Sequence, residues 1–459
     1  MPDCLAERLG WPVDAMHPAS RPSGVSASLR RCSARTGFEI PYPLGKNAKG
    51  PEWGLSHFGG GASPVQRMLR SFPVTNSMPH DYKCTDTSQL PILENAMRVW
   101  LVLSVVSFVT GVTQATAAEP KCQASDAQLR STISEIHTKQ RNVGLAAAIV
   151  RSEEVVFTEY LGLADLEFGV GVDHNTQFGV ASITKLYTAV TLLQLRAKGR
   201  LELSDIVQKH YPDFPKKPEG DITLEMLAEH KSGLPHPETV RTPKLFATHF
   251  ESATDAVGVF AVDALLFTPG SNAKYSSSNY NLIAAIAEQV TGQNFKDVVA
   301  TNVFDELNLT ETRFDNALRP LPFRARRYSY YRPWTYEESN ELFLVPVWDY
   351  SFNTGGGNIL ATATDVARFG AALTRPGLLP EEELRVLLSS EWFGGIDDDG
   401  QQFVFASGAN PGVQAGLAII PESGIAAVVL SNTWGLGSRS GEMTQLALHL
   451  ARLCDSTQE

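Results

Sequence analysis

Paired apolar runs near both ends of the C-terminal two thirds of the chain predict β-strands. Residues 143–150 and 155–160 are separated by a short polar turn, and this spacing is typical of a β-hairpin. Strand patterns return late in the chain, at 413–420 and 425–431. We expect the strands from the two ends to meet in one antiparallel sheet.

Helical patterns flank these strands and fill the region between them. Residues 127–140 and 443–453 are the predicted terminal helices. A long helix is predicted over 182–198, where apolar residues recur at helical spacing and Gly199 follows as a stop signal. Further helical patterns occupy 223–229, 280–290, 295–307, 364–373 and 381–389. The order predicts an α+β fold: an antiparallel sheet covered by the terminal helices, plus a mostly helical lobe.

The first 118 residues have a different character. Residues 1–96 are rich in Pro, Gly, Ser and Arg without a sustained period, which is typical of a segment that does not fold. Residues 97–118 resemble a secretory signal peptide: a basic start, an apolar run and small residues for cleavage. The alternative is an uncleaved anchor, but the run is shorter than the roughly 20 residues of a membrane span. We therefore interpret 1–96 as disordered or as a mis-assigned upstream extension, with Met97 as the true start, and 119–459 as the exported domain, secreted or periplasmic.

Charge and cysteine content narrow the function classes. The 459 residues include 39 basic and 50 acidic ones, a net charge of −11, which disfavours a general nucleic-acid binder. Removal of residues 1–118 would leave 28 basic and 42 acidic residues. Of the five cysteines, Cys122 and Cys454 would remain, at opposite ends of the domain. A disulfide between them, requiring the terminal helices to pack side by side, and two free thiols are both open at this point.

The strongest chemical signal is a Ser-x-x-Lys motif, Ser182 and Lys185, at the start of the long predicted helix. The spacing places both side chains on one helix face, one turn apart. A serine at a helix N-terminus lies where developing negative charge is favoured. A lysine enclosed in a site holds its proton less tightly and can act as a base. The alternative is a serine N-cap with a solvated lysine.

Several further segments accompany this motif in order. They comprise the apolar run 143–150, the approach 173–178, the stretches 201–214 and 222–234, the Phe-Thr-Pro-Gly of 267–270 with Tyr275 and Tyr280, and three glycines at 355–357 ahead of 362–365. With them, residues 143–454 resemble the serine beta-lactamase and penicillin-binding family. The resemblance is greatest to its class C-type branch, which also holds esterases and D-amino-acid peptidases. It implies a beta-lactamase/transpeptidase-like fold and a Gly-rich loop that enters a helix at 355–357.

The resemblance also implies a second motif, Tyr-x-Asn. Tyr275 matches its tyrosine, which can relay a proton between the nucleophile and the leaving group. Ser277 stands at the asparagine position, where a shorter hydroxyl is expected to bind substrate. This departure weakens recognition of a beta-lactam side-chain amide. A buried structural tyrosine is the alternative for Tyr275.

A third motif, Lys-Thr-Gly or His-x-Gly at the start of an edge strand, is matched by Ala406, Ser407 and Gly408. The resemblance assigns substrate contacts to Ser407 and Gly408, and an oxyanion hole to the N–H groups of Ser182 and Ala409. Ala406 removes the ionisable side chain of the motif. A substrate carboxylate would therefore lack a partner unless another Arg or Lys supplies one.

We therefore expect an exported serine hydrolase that cleaves an ester or amide bond of a small-molecule or peptide substrate through acyl-Ser182, with Lys185 and Tyr275 moving the proton. No metal or cofactor is implied, and no nucleic-acid partner or stable membrane span after signal cleavage is expected. The alternatives are a beta-lactamase or D-amino-acid peptidase, and a pseudoenzyme that binds or assembles. The oligomeric state is open.

Two weaker signals receive structural interpretations. His230 is expected on a structural helix before a glycine turn rather than as a base. The acidic run 397–399 before Gly400 resembles a calcium loop only faintly, and a hairpin turn is the expected structure.

Overall fold

The computed structural model describes residues 122–237, 242–333, 335, 337–396, 400–437 and 441–455 of the chain. The interpretations of 1–96 and 97–118, and the expected turn at 397–399, concern residues outside this description.

The helices of the described residues are α1 (Asp126–Lys139), α2 (Thr184–Ala197), α3 (Val207–His210), α4 (Leu224–Ala228), α5 (Pro243–Phe246), α6 (Ala253–Ala256), α7 (Ser277–Thr291), α8 (Phe295–Val299), α9 (Thr354–Gly357), α10 (Ala363–Ala372), α11 (Glu381–Leu388) and α12 (Glu442–Cys454). The strands are β1 (Gly144–Arg151), β2 (Glu154–Asp165), β3 (Val170–Gly171), β4 (Phe178–Gly179), β5 (Arg313–Phe314), β6 (Tyr328–Tyr331), β7 (Glu338–Leu344), β8 (Ile359–Ala361), β9 (Gly394–Ile396), β10 (Gln402–Asn410), β11 (Val413–Ile420), β12 (Ile425–Ser431) and β13 (Thr433–Trp434).

The main sheet has seven strands in the order β3-β2-β1-β12-β11-β10-β9. The two ends of the fold meet at the centre of this sheet, where β1 pairs antiparallel with β12. Leu145 lies opposite Ser431 at one end of the pairing, and Arg151 lies opposite Ile425 at the other. Two smaller sheets, β13-β6-β7 and β4-β8-β5, extend from this frame. The antiparallel sheet built from both ends confirms the expected α+β fold.

Each face of the central strands is buried against a different layer, because successive side chains of a strand point to opposite faces. On β1, Ala146 and Val150 join the large core shared with the helical lobe. Leu145 and Ile149 join the second core, formed with the terminal helices. The continuous apolar run at 143–150 therefore reflects a strand that is covered on both sides.

Most predicted elements form within one or two residues of their expected ends. The strand predicted over 155–160 continues to Asp165, and the helix predicted over 280–290 begins at Ser277. Two other helices differ in kind. The helix expected over 182–198 begins with a 3₁₀ turn, Ala181–Ile183, before α2. The helix expected over 295–307 is divided into α8 and a π-helical segment, Ala300–Asp305. There the Asn302 side chain donates to Val298 O at 2.8 Å and competes with the regular helical ladder.

The terminal helices pack on the same face of the sheet, and a disulfide joins Cys122 to Cys454. Ala124 N donates to Leu453 O at 3.0 Å beside it, so the first described residues lie against the end of α12. The structure thus decides between the disulfide and the free thiols in favour of the disulfide. Within the described residues, no helix combines the length and apolar character that crossing a bilayer requires.

Removal of this disulfide is expected to destabilise the fold. The Cys122→Ser, Cys454→Ser double variant should lose about 2–4 kcal/mol of unfolding free energy, because the cross-link restricts the unfolded chain. Urea denaturation of both proteins, with and without reductant, measures the difference. Reductant should change only the parent protein, and a non-reducing peptide map without a Cys122–Cys454 peptide would contradict the assignment.

Candidate active site

Ser182 lies in the 3₁₀ turn directly ahead of α2. The chain enters this turn from β4, and Val180 N donates to Ile359 O at 3.0 Å at the end of the small sheet. Ala181 has φ 44°, in the left-handed region that residues other than glycine rarely adopt. The strained turn fixes Ser182 at the start of α2, where helical N–H groups lack partners within the helix.

Lys185 lies one helical turn further along and is only 1% exposed. Its Nζ donates to Ser182 Oγ at 3.1 Å, to Ser277 Oγ at 3.0 Å and to Gly356 O at 2.6 Å. These three acceptors are neutral oxygens from three separate segments of the chain. The amine is therefore held in one position, within hydrogen-bond reach of the serine.

Tyr275 approaches Ser182 from the start of α7. Its Oη lies 2.6 Å from Ser182 Oγ, and its ring centroid lies 4.8 Å from Lys185 Nζ. Ser276 caps α7 through its side chain, and Ser277 is the first residue of the helix. The structure thus brings Ser182, Lys185, Tyr275 and Ser277 together, with Ser277 against the lysine amine.

The three glycines at 355–357 bring the last carbonyl of this arrangement into place. They lie within α9, so the Gly-rich loop expected there is instead a short helix. A Cβ at Gly355 would overlap Tyr280 O, so only glycine permits α9 to lie this close to α7. This close packing places Gly356 O on Lys185 Nζ.

The third predicted motif lies in the second half of β10, rather than at the start of a strand. β9 pairs only with the first part of β10, so the motif is at an exposed edge of the sheet. Phe405 donates its N–H outward, to the turn that precedes β9, and alternation along the strand directs the N–H groups of Ser407 and Ala409 to the same edge. A Cβ at Gly408 would overlap Val180 O, so the motif's main chain lies directly against the turn that carries Ser182.

The ring of His230 packs against Tyr275, with centroids 4.9 Å apart. It follows α4 in a turn with φ 55°, so the expectation that it lies on a helix is wrong. It is fully buried, and its Nδ1 accepts from Ser276 N at 3.1 Å and from Asn279 Nδ2 at 3.0 Å. Two donors at Nδ1 leave the ring proton on Nε2. Burial, with nearby Lys185 and His236, holds the pKa of His230 well below its usual value, so the ring stays neutral.

Sequence reasoning did not identify three contributors to this site. His236 Nδ1 accepts from Ser277 N at 2.9 Å, Gly356 supplies the carbonyl described above, and the Trp392 ring stacks on Tyr275 with centroids 5.5 Å apart. The glycine run was the one available signal, but it did not show which carbonyl faces the lysine. Nothing in the local pattern around Trp392 distinguishes it from a core aromatic residue.

A small cleft opens onto these groups, with a volume of about 20 Å³. Its lining combines the candidate catalytic residues with a largely apolar side: Ser182, Lys185, Tyr275, Trp392, Phe393, Phe405, Ala406 and Ser407. The arrangement can hold a carbonyl compound next to a serine hydroxyl, with a buried amine and a phenol at hydrogen-bond distance.

Comparison with known proteins places this arrangement in a family. The family model described as Beta-lactamase matches residues 129–452, well over half of the chain. The chain belongs to the beta-lactamase family. This membership confirms the resemblance inferred from the motifs.

Curated relatives in this family are distant. The serine beta-lactamase-like protein LACTB, mitochondrial, of Homo sapiens is 26% identical over 327 residues, covering 56% of this chain and 58% of the relative. Protein flp of Staphylococcus aureus strain NCTC 8325 is 28% identical over 193 residues, covering 41% of this chain and 38% of the relative. The chain thus spans less than two thirds of either relative.

Solved structures share the fold. The D-amino acid amidase from Ochrobactrum anthropi SV3, complexed with L-phenylalanine, has a TM-score of 0.62 at 20% identity, covering 72% of this chain and 98% of the amidase. A penicillin binding protein from Bacillus halodurans has a TM-score of 0.58 at 23% identity, covering 69% of this chain and 98% of that protein. At such identities the likeness establishes the architecture and leaves the substrate open.

The neutral state of buried His230 predicts a pH-dependent contribution to stability. Its folded-state pKa is lowered, so the unfolded chain binds the proton more tightly. The stabilisation is therefore present above about pH 6.5 and is lost as the pH falls below that value, by up to about 1.4 kcal/mol per unit. In His230→Asn, whose Oδ1 can still accept from Ser276, the Tm deficit relative to the parent should be larger at pH 7.5 than at pH 5. His449→Asn, at an exposed position of α12, is the control. A deficit at His230 that does not change with pH would contradict a neutral buried ring.

Proposed function

We propose that this beta-lactamase-family hydrolase cleaves an ester or amide bond through an acyl-Ser182 intermediate. The observation that carries the proposal is the pair of contacts at Ser182 Oγ, 3.1 Å from Lys185 Nζ and 2.6 Å from Tyr275 Oη. A serine hydroxyl becomes a nucleophile when a base lies within this distance. Two proton-carrying groups at hydrogen-bond distance from one hydroxyl fit acylation better than a purely structural contact does.

The hydrogen-bond donors available to Lys185 support a proposed proton path. A neutral amine has two N–H groups and one lone pair, and Gly356 O can only accept. When the amine is neutral and its second N–H is directed to Ser277 Oγ, the lone pair takes the place of the N–H that the charged amine donates to Ser182 Oγ. Ser182 Oγ then bonds to the substrate carbonyl carbon as its proton moves to Lys185. The carbon–leaving-group bond breaks, and Tyr275 passes a proton to the departing oxygen or nitrogen while Lys185 replaces it. Water completes the cycle by hydrolysing acyl-Ser182.

The N–H groups of Ser182 and Ala409 are the proposed oxyanion hole. β10 directs the Ala409 N–H to the open edge beside the turn that carries the serine. Two main-chain donors at this position would stabilise the tetrahedral oxyanion, and each is worth about 3–4 kcal/mol in comparable sites. Ser407 and Gly408 are proposed to contact substrate along the same edge.

We propose in addition that the protein acts outside the cytoplasm. The Cys122–Cys454 disulfide supports an oxidising compartment, since such bonds persist there and are rare in reducing ones. The segment at 97–118, interpreted as an export signal, agrees with this location.

Covalent labelling tests the nucleophile directly. Intact-mass spectrometry should show one fluorophosphonate adduct on the parent protein and none on Ser182→Ala, because only an activated serine attacks phosphorus at neutral pH. Incubation with penicillin, measured by the same mass spectrometry, distinguishes a penicillin-binding protein from a beta-lactamase. A long-lived penicillin adduct indicates a penicillin-binding protein. Rapid turnover of nitrocefin would indicate a beta-lactamase, whereas we expect little. Ser134→Ala, at an exposed serine of α1, is the control and should label like the parent protein. Failure of every electrophile to label Ser182 would favour a binding or assembly protein and would sink the proposal.

The close approach of β10 generates a second test. Gly408→Ala should lower kcat by about 10²–10³, the loss typical of one oxyanion donor, because the added methyl displaces Ala409 from Ser182. KM should change less, and circular dichroism should show that the sheet is retained. Gly437→Ala, outside the cleft, controls for a generic glycine effect. Unchanged kcat in folded Gly408→Ala would place the oxyanion hole elsewhere.

A further inference from the structure

One side of the cleft is an aromatic wall held rigidly in place. Trp392 N and Phe393 N both donate to Ser390 Oγ, at 3.1 and 3.3 Å. Ser390 Oγ in turn donates to Glu229 Oε1 at 2.8 Å, which ties the turn to the end of α4. A second tie joins Lys231 to Glu391 at 2.8 Å. The turn is therefore fixed in position before any substrate enters.

The Trp392 ring is oriented by two neighbours. It stacks on Tyr275, with an interplanar angle of 23° and centroids 5.5 Å apart, and it lies 4.1 Å from the ring of His230. These contacts direct the indole into the cleft that also exposes Ser182. The cleft has a volume of about 20 Å³, little more than one water molecule needs, so the wall leaves room for a short group only.

The lining of the cleft offers an anionic substrate no cation apart from Lys185. Among the described residues, this lining contains no arginine and one lysine, Lys185, whose Nζ already lies at hydrogen-bond distance from three oxygens. Arg327, whose guanidinium lies near Gly179 ahead of the nucleophile turn, is paired with Asp315 at 2.8 Å. Asp315 also pairs with Arg324 at 2.8 Å, so the two guanidiniums share one carboxylate, and all three residues lie outside the lining of the cleft. An unpaired carboxylate in such a cleft would lose hydration without gaining a partner.

We propose that the cleft selects substrates with a compact, uncharged apolar acyl group, and that Trp392 is the residue that limits its length. This inference rests on the proposed function and specifies its substrate class. The anionic substrates that penicillins and cephalosporins represent are disfavoured for the same physical reason. The chemistry is the acylation and hydrolysis described above, with the short acyl chain against the indole.

A series of 4-nitrophenyl esters tests the proposal. Acetate, butyrate and octanoate vary the length, and the hemisuccinate replaces the terminal methyl of butyrate with a carboxylate. For the parent protein, kcat/KM for butyrate should exceed that for octanoate and for hemisuccinate by about tenfold each, within the range that pocket fit supplies. Trp392→Ala should raise the octanoate-to-butyrate ratio by about tenfold. Trp392→Phe should keep the octanoate-to-butyrate ratio of kcat/KM within about threefold of the parent value.

Further variants separate specificity from folding. Phe168→Ala removes an aromatic side chain that is 77% exposed and lies outside the cleft, so it should leave all ratios unchanged. Trp392→Leu replaces the alanine variant if thermal melts show that the latter does not fold. Equal hydrolysis of butyrate and hemisuccinate would overturn the proposal, as would an unaltered length ratio in Trp392→Ala or Trp392→Leu. A uniform loss on all esters would identify Trp392 as a support for Tyr275 only and would also overturn it.

The two proposals fail in distinguishable ways. Turnover that disappears in Ser182→Ala, but shows no length or charge preference, rejects the substrate class and retains the serine hydrolase. Absence of both ester turnover and fluorophosphonate labelling rejects the two together.

Discussion

The burial of one amine among neutral oxygens is the constraint on which the site depends. Lys185 holds three segments that are distant in sequence: its own helix, the start of α7 and the glycine helix α9. A buried ammonium or amine needs every available acceptor, because an unmet hydrogen bond in the interior costs about 1–3 kcal/mol. The close packing of α9 against α7 provides the carbonyl, and the capped start of α7 provides the hydroxyl. The same contacts that satisfy the amine align it with Ser182, so the stability of this region and its chemistry have one origin.

The sheet supplies the other half of the site. β1 and β12 come from opposite ends of the fold and form its centre, and the disulfide fastens the helices that cover one face. β10 is the third strand from β1, beyond β12 and β11, and can approach the Ser182 turn because Gly408 has no side chain in the way. The site therefore forms only once the two ends of the fold have paired, which couples its geometry to the most long-range contacts in the molecule.

The aromatic and cation-poor character of the cleft separates this protein from what its family name suggests. Ala406 contributes no charge, and the arginine close to the nucleophile turn is already paired with Asp315. In place of an anion-binding group, the cleft has an indole that stacks on the candidate proton-relay tyrosine. One residue thus borders both the reacting centre and the space for the acyl group. Family membership supports Ser182 as the proposed nucleophile, while the proposed substrate class depends on these local differences.

The sequence alone determined most of the elements and the candidate reacting groups. Apolar runs at 413–420 and 425–431 predicted β11 and β12 to the residue, since such patterns are local. Motif spacing indicated Ser182 and Lys185, and the family resemblance indicated Tyr275. The tertiary structure decided what local patterns cannot contain. It shows that Cys122 and Cys454 form a disulfide. It also shows that the glycine run forms a short helix, in which Gly356 O accepts a hydrogen bond from Lys185. It also brought His236 and Trp392 to the site from segments without any motif. The physical reason is that a side chain's neighbours are fixed by the packing of distant segments, which depends on shape and burial across the whole fold rather than on residue order.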